Sequence, residues 1–145
     1  MRSKLLHESD GQKTHALIFE TGDEVMSNLR AFARDHRLGG SHFTAIGAFQ
    51  DVTLGYFDWA RKDYKKIPVP EQVEVVSLVG DIAEGEEREP IVHAHVVLGK
   101  ADGAALGGHL LEAYVRPTLE LMLVESPKHL RRKHDPETGL ALIWL

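Results

Sequence analysis

The sequence predicts an α+β fold, a mostly antiparallel β-sheet with one main helix over about residues 23–37, in a single compact domain spanning 1–145 with its core from about 13 onward. Three observations carry this. Short apolar or alternating segments recur along the chain, each bounded by Gly, Pro, Asp or Asn-type breakers, as strands are. Only one stretch has helical spacing: Val25, Leu29, Phe32 and His36 fall at i, i+4, i+7 and i+11. The length of 145 residues, with 43% hydrophobic and 27% charged residues, is that of one soluble domain able to bury a core.

Residues 13–19 form the first expected strand. Thr21 then reads as a helix cap with Glu24 three positions on, a capping-box spacing, and Leu38, Gly39 and Gly40 end the helix. His36, at its C-terminal end, suits the negative end of the helix dipole. Residues 41–49 read as a strand in which Gly47 marks a bulge or a close backbone approach. Residues 52–58 read as its hairpin partner through Gln50 and Asp51. Residues 59–66 carry Arg61, Lys62, Lys65 and Lys66 around Tyr64, a solvated strand or loop, and Pro68 and Pro70 interrupt the pattern. Residues 72–80 are a strongly apolar strand, 81–89 an acidic surface loop with Gly85 at its tip, 110–116 and 118–124 strands on either side of Pro117, and 139–145 a closing strand. Lys128, Arg131, Arg132 and Lys133 form a short basic run, a solvated loop or a phosphate-binding patch.

The stretch with chemistry in it is Pro90 to Gly99 followed by Gly107, Gly108 and His109. It holds three of the chain's nine histidines within seventeen residues. His93 and His95, at i and i+2 on a strand, project from one face. A tight turn over residues 99–103, centred at Ala101, sets His93 opposite His109 and His95 opposite Gly107, where the missing side chain leaves room. All three rings then share a face at cross-strand spacings of about 5 Å. Three neutral imidazoles with a fourth position open is a catalytic zinc arrangement. His42 and His15 are the other candidate histidines for a fourth ligand. Glu74 and Glu120 each interrupt an otherwise apolar strand face and are the candidate acid–base carboxylates. Arg116 is the candidate anchor for a small anionic molecule at the metal.

Composition narrows the rest. There is no cysteine, so neither disulfides nor thiolate metal ligands are available. The net charge of −5 argues against a broad phosphate-binding surface. No apolar run approaches the length of a membrane span, and the first residues lack an apolar signal core, so no membrane partner and a cytoplasmic location are expected.

The helix, the Ile46–Gly47–Ala48 segment, the strand 73–80, the Pro90–His95 segment, the GGHLLEAYV run from Gly107 and the Thr118–Leu121 segment occur together in the order of the plant and prokaryote conserved domain. The chain resembles this family (PPC or PCC) over about residues 13–145, and resembles its prokaryotic stand-alone branch most. The resemblance implies a homotrimer, and zinc on His93, His95 and His109. It also implies a fold similar to acetolactate decarboxylase, a zinc enzyme with an HxH pair and a third histidine downstream. Plant members are AT-hook nuclear proteins, but the Arg-Gly-Arg-Pro hook that enters the minor groove is missing here. The missing hook and the negative net charge both argue against DNA as a partner. Two functions compete: a zinc lyase or hydrolase acting on a small molecule, and a DNA-binding or protein-interaction module with a structural zinc.

Overall fold

In the computed structural model, which describes residues 1–145, strand accounts for 66% of the chain and helix for 8%. The α+β expectation is corrected accordingly: the protein is a mostly β structure with one short helix. Its elements are β1 (Arg2–Ser9), β2 (Gln12–Glu20), α1 (Val25–His36), β3 (Gly40–Asp58), β4 (Asp63–Val69), β5 (Val73–Glu84), β6 (Pro90–Gly99), β7 (Ala105–Glu125), β8 (Arg131–His134) and β9 (Ala141–Trp144). No helix is long and apolar enough to cross a membrane.

The excess of strand arises where breaker residues bend the chain without ending the ladder. Residues 41–49 and 52–58 are not hairpin partners. They are halves of β3, a single 19-residue strand that pairs with β7 along its length, with register shifts between Gly47 and Asp51. Pro117 likewise sits inside β7, a 21-residue strand. A proline or glycine at a bulge removes one ladder bond and turns the strand, while the flanking residues stay paired. Gly47 is the clearest case. Its φ is +153°, and a Cβ there would collide with the Thr118 carbonyl oxygen of the neighbouring strand. Pro68 is tolerated because β4 pairs with β3 alone and is an edge strand.

An additional hairpin precedes the expected core. β1 pairs with β2 through Asp10 and Gly11, both at positive φ, the backbone a two-residue hairpin turn demands. The helix also starts later than expected. Its N-cap is Glu24, not Thr21, and the Glu24 carboxylate accepts hydrogen bonds from the backbone N–H groups of Met26 and Ser27. Arg37, in the left-handed conformation, turns the chain at its C-terminus, ahead of the two glycines.

Strands β3, β5, β6 and β7 close on one another: β3 pairs with β5, β5 with β6, β6 with β7 and β7 with β3. Every pairing is antiparallel except the single parallel bridge from β5 to β8. Closure removes strand edges and gives the four strands an inside and an outside. Phe43, Phe49, Leu78, Leu98, Leu110 and Leu121 fill the inside and are fully buried, together with the α1 stripe of Val25, Leu29 and Phe32. Each such side chain contributes about 1.5–3 kcal/mol by leaving water. On β6 the alternation is plain: Val92, Ala94, Val96 and Leu98 point into the core, and His93, His95 and Val97 therefore point out.

Replacing Gly47 with alanine forces both a positive φ on a residue with a Cβ and a clash with Thr118. Chemical denaturation of Gly47→Ala should show a loss of about 1–3 kcal/mol. A variant as stable as wild type would mean that the bend does not depend on this glycine.

Candidate metal centre

The three histidines meet on the outer face of the β6–β7 hairpin, though in a different register from the one expected. The turn is longer: Lys100 N–H donates to Ala104 O and Gly103 N–H to Lys100 O, so Gly99 pairs with Ala105. His95, rather than His93, therefore faces His109, and Gly107 lies opposite Val97 instead of beside the site. The slip is two residues. A slip of one would have sent His109 to the core, whereas a slip of two returns it to the same face.

The resulting cluster is tight. His93 Nε2 and His95 Nε2 are 3.2 Å apart. One ring nitrogen from each of the three histidines lies within 4.8 Å of the others, so the group could hold a metal ion. The rings of His93 and His109 are stacked with centroids 5.1 Å apart, and His95 stands edge-on to both.

Three residues hold the imidazoles in place. Asp81 lies directly across β5–β6 from His93, and its Oδ2 is 3.4 Å from His93 Nδ1. A proton on that Nδ1 donates to the carboxylate and leaves the Nε2 lone pair free, the tautomer a metal ligand needs. Arg132, 8% exposed, donates from Nη2 to Asp81 Oδ1 at 2.7 Å and from Nη1 to the Ala141 carbonyl at 2.7 Å. Tyr64 of β4 stacks on His109 at 4.4 Å, and its hydroxyl is 3.5 Å from His109 Nδ1.

Burial and neighbouring charge disfavour protonation of His95 and His109. Burial pushes His109 down to about 4, helped by the neighbouring His93 and His95 and by Arg132. Burial and then His93 lower His95 in the same direction. Burial works to raise the Asp81 carboxyl, but hydrogen bonds from His93 and Arg132, with the Arg132 charge, hold it below the usual carboxylate range. Asp81 thus stays an anion that can accept from His93. Burial raises the Tyr64 phenol and keeps it protonated.

The other expected site residues lie elsewhere. Glu74 and Glu120 are brought together, lining one shallow depression with Ile46, Gly47, Val75 and Val76. Glu74 pairs with Gly99, four residues along β6 from His95, which is about 13 Å of strand. Arg116 is seven residues along β7 from His109, about 23 Å of strand. The structure joins none of these three to the triad. His42 pairs with Asp81 across β3–β5 but is outside the histidine group, and His15 is buried against Phe32 and His36 beside the helix. By sequence pattern Asp81, Tyr64 and Arg132 read only as a loop acid, a lone tyrosine and part of a basic run. Asp81 pairs with His93 because the β5–β6 turn, closed by Gly85 N–H to Glu89 O, is centred at Glu87 and not at Gly85.

Residues 6–127 match the family model of the Plants and Prokaryotes Conserved (PCC) domain. The chain belongs to the PCC domain family. Solved structures agree with this PCC assignment. A metal-containing protein from Archaeoglobus fulgidus is 32% identical, with a TM-score of 0.83 over 92% of this chain and 94% of that one. A plant- and prokaryote-conserved protein from Pyrococcus horikoshii is 30% identical, with a TM-score of 0.84 over 99% and 95%. A Ralstonia eutropha protein, provisionally described as DNA-binding, is 30% identical, with a TM-score of 0.84 over 90% of each chain. Nothing matches the chain among curated proteins.

For the metal-free PCC protein the lowered histidines set a pH window. Below their ordinary value of 6.5 the unfolded chain takes up protons that folded His95 and His109 refuse, so stability falls as pH falls from about 6.5 towards 4. Denaturation midpoints measured in chelator across this range should decline with acid, and less so in His109→Gln. A flat profile in the wild type would contradict the depressed values.

Proposed function

We propose that this PCC protein binds a divalent metal, zinc by its donor set, through His93, His95 and His109, and uses the open coordination position to act on a small anionic molecule. The observation that carries the reading is the 3.2 Å separation of two imidazole Nε2 atoms. Ring nitrogens this close share either a proton on one of them or a cation between two lone pairs, and the His93 tautomer set by Asp81 turns a lone pair towards the site. Nitrogen ligands at about 2.0–2.1 Å from one tetrahedral zinc are themselves about 3.3–3.4 Å apart, which the observed spacing fits. Three histidines and no fourth protein donor leave a position for water or substrate, whereas structural zinc sites are closed by four.

When bound, the ion supplies Lewis-acid polarisation of an oxygen in the open position. The chain's own residues do the rest. Asp81 fixes the His93 tautomer, Arg132 fixes Asp81, and stacking on Tyr64 fixes the His109 ring plane. The Tyr64 hydroxyl, kept protonated, is a hydrogen-bond donor beside the triad. The charges of Asp81 and Arg132 offset each other, so a divalent ion on neutral imidazoles leaves a net positive centre that attracts an anion. Glu74, Glu120 and Arg116 enter this reading only as a second group, away from the triad within one chain.

The assembly proposed is a homotrimer, the state the family resemblance implies. Supporting self-association, Ile46 and Val76 are 62% and 59% exposed, and Met122 and Val79 nearly half exposed, on the outer face of the sheet. The pairing runs Met122 to Thr44 to Val79 to His95, so this apolar face reaches the triad. Light scattering should give about three times the 16.2 kDa chain mass, and a monomer at micromolar concentration would refute the trimer.

Elemental analysis should find about one zinc per chain in the wild type and well below half in His109→Ala, with the circular dichroism of the two alike. Asp81→Asn should weaken zinc binding about tenfold to a hundredfold. Full zinc retention in His109→Ala would remove the ligand assignment, and unfolding on metal loss would make the metal structural. With a net charge of −5, duplex DNA should bind no tighter than roughly 1 μM at physiological salt. A nanomolar sequence-specific complex in a gel shift would favour the DNA-binding alternative.

A further inference from the structure

A second cavity, of about 280 Å³, opens beside the β8–β9 ribbon and is walled by Arg88, Arg131, Arg132, Lys133, Glu86 and Trp144. Four of these six side chains are cations, in a chain whose net charge is −5. Strand alternation explains how they gather. Arg131 is directly opposite Trp144 in the β8–β9 ladder, and Lys133 is two residues on, so both share the face of the tryptophan. Arg132, between them, turns the other way and reaches Asp81.

The cations on the cavity side are poorly paired. Arg88 and Lys133 make no ion pair, and Arg131 Nε reaches Glu84 only at 3.9 Å. The Glu84 carboxylate is already bound at 2.7 Å by His129. The one acid in the wall, Glu86, accepts a hydrogen bond from the His134 N–H. Lys133 Nζ instead lies 5.7 Å from the centre of the Trp144 ring. Arg88 is placed at the cavity by a turn closed by Arg88 N–H to Gly85 O and Gly85 N–H to Glu89 O, at φ +65°, a conformation in which glycine or asparagine is the usual occupant. Like charges crowded around one concavity repel one another, and an anion bound among them relieves the repulsion. Trp144, 65% exposed, adds a flat apolar platform for a planar group.

We propose that this cavity is a binding site for a small phosphate-bearing aromatic molecule of the nucleoside monophosphate class, the phosphate held by Arg88, Arg131 and Lys133 and the ring placed on Trp144. The cavity lies at the lower end of ligand-pocket sizes, which suits a mononucleotide rather than a dinucleotide. Nothing in the metal centre's chemistry depends on Arg88, Lys133 or Trp144, so this site and the triad can be tested separately.

The chain has two tryptophans, Trp59 and Trp144, so Trp59→Phe leaves Trp144 as the only tryptophan reporter. In that background, AMP should change the fluorescence saturably, with a dissociation constant below about 1 mM at low salt that rises as salt is added. Inorganic phosphate should bind at least about tenfold more weakly, for want of the ring. Arg88→Gly suits the left-handed turn and Lys133→Gln keeps the stem, so both variants should fold with wild-type melting temperatures. Combined, they should weaken AMP at least about tenfold. Lys133→Gln alone, at about threefold or more, serves if the double variant does not fold. No saturable response by about 10 mM AMP, equal affinity for AMP and inorganic phosphate, or unchanged affinity in the folded variants would overturn the proposal. So would binding of a single-stranded oligonucleotide without saturable binding of AMP.

Discussion

The double pairing of β6, with β5 on one side and β7 on the other, is the constraint on which the candidate site depends. One pairing sets Asp81 against His93, and the other sets His109 against His95. Neither could shift by a single residue without turning Val92, Ala94, Val96 and Leu98 out of the core. The hydrophobic effect acting on four buried side chains thus fixes the register of three polar ones on the opposite face. The imidazoles need no dedicated scaffold, because the core that holds the strands in line also aims them.

The same arrangement accounts for the charge state of the site. Partial burial makes protonation of His95 and His109 unfavourable, and the neighbouring imidazoles add to it. Asp81 does not counteract this, because its charge is shared between His93 and Arg132. Arg132 in turn comes from β8, an element held to the closed strands by the one parallel bridge to β5. The metal centre and the cationic cavity therefore meet at one short strand, whose alternate residues serve the two sites from opposite faces.

Closure of the four central strands also decides what is left uncovered. The helix covers the apolar surface nearest to it, while Ile46, Val76, Val79 and Met122 remain on the outer face, continuous through Val79 with His95. Burial of that face in an assembly would lower the dielectric around the histidines and strengthen interactions there. Glu74 and Glu120 occupy the same face at some distance from the triad, which ties them to that surface more closely than to the metal chemistry.

Local pattern in the sequence determined the shared face of His93 and His95, the single helical stripe, the bulge at Gly47 and the absence of thiolate chemistry. Each of these follows from period, spacing or composition, which need no partner strand. The family resemblance was legible in the same motifs, carried by residues from the helix to Thr118. The breaks at Gln50–Asp51 and at Pro117 were misjudged because whether a breaker ends a strand or only bends it depends on the neighbour that keeps the ladder paired. Tertiary structure alone set the two-residue longer β6–β7 turn, the closed ring of strands, and the convergence of Asp81, Tyr64 and Arg132 on the histidines from β5, β4 and β8. Those residues are far apart along the chain, and only the long-range pairing that buries the core brings them to one place.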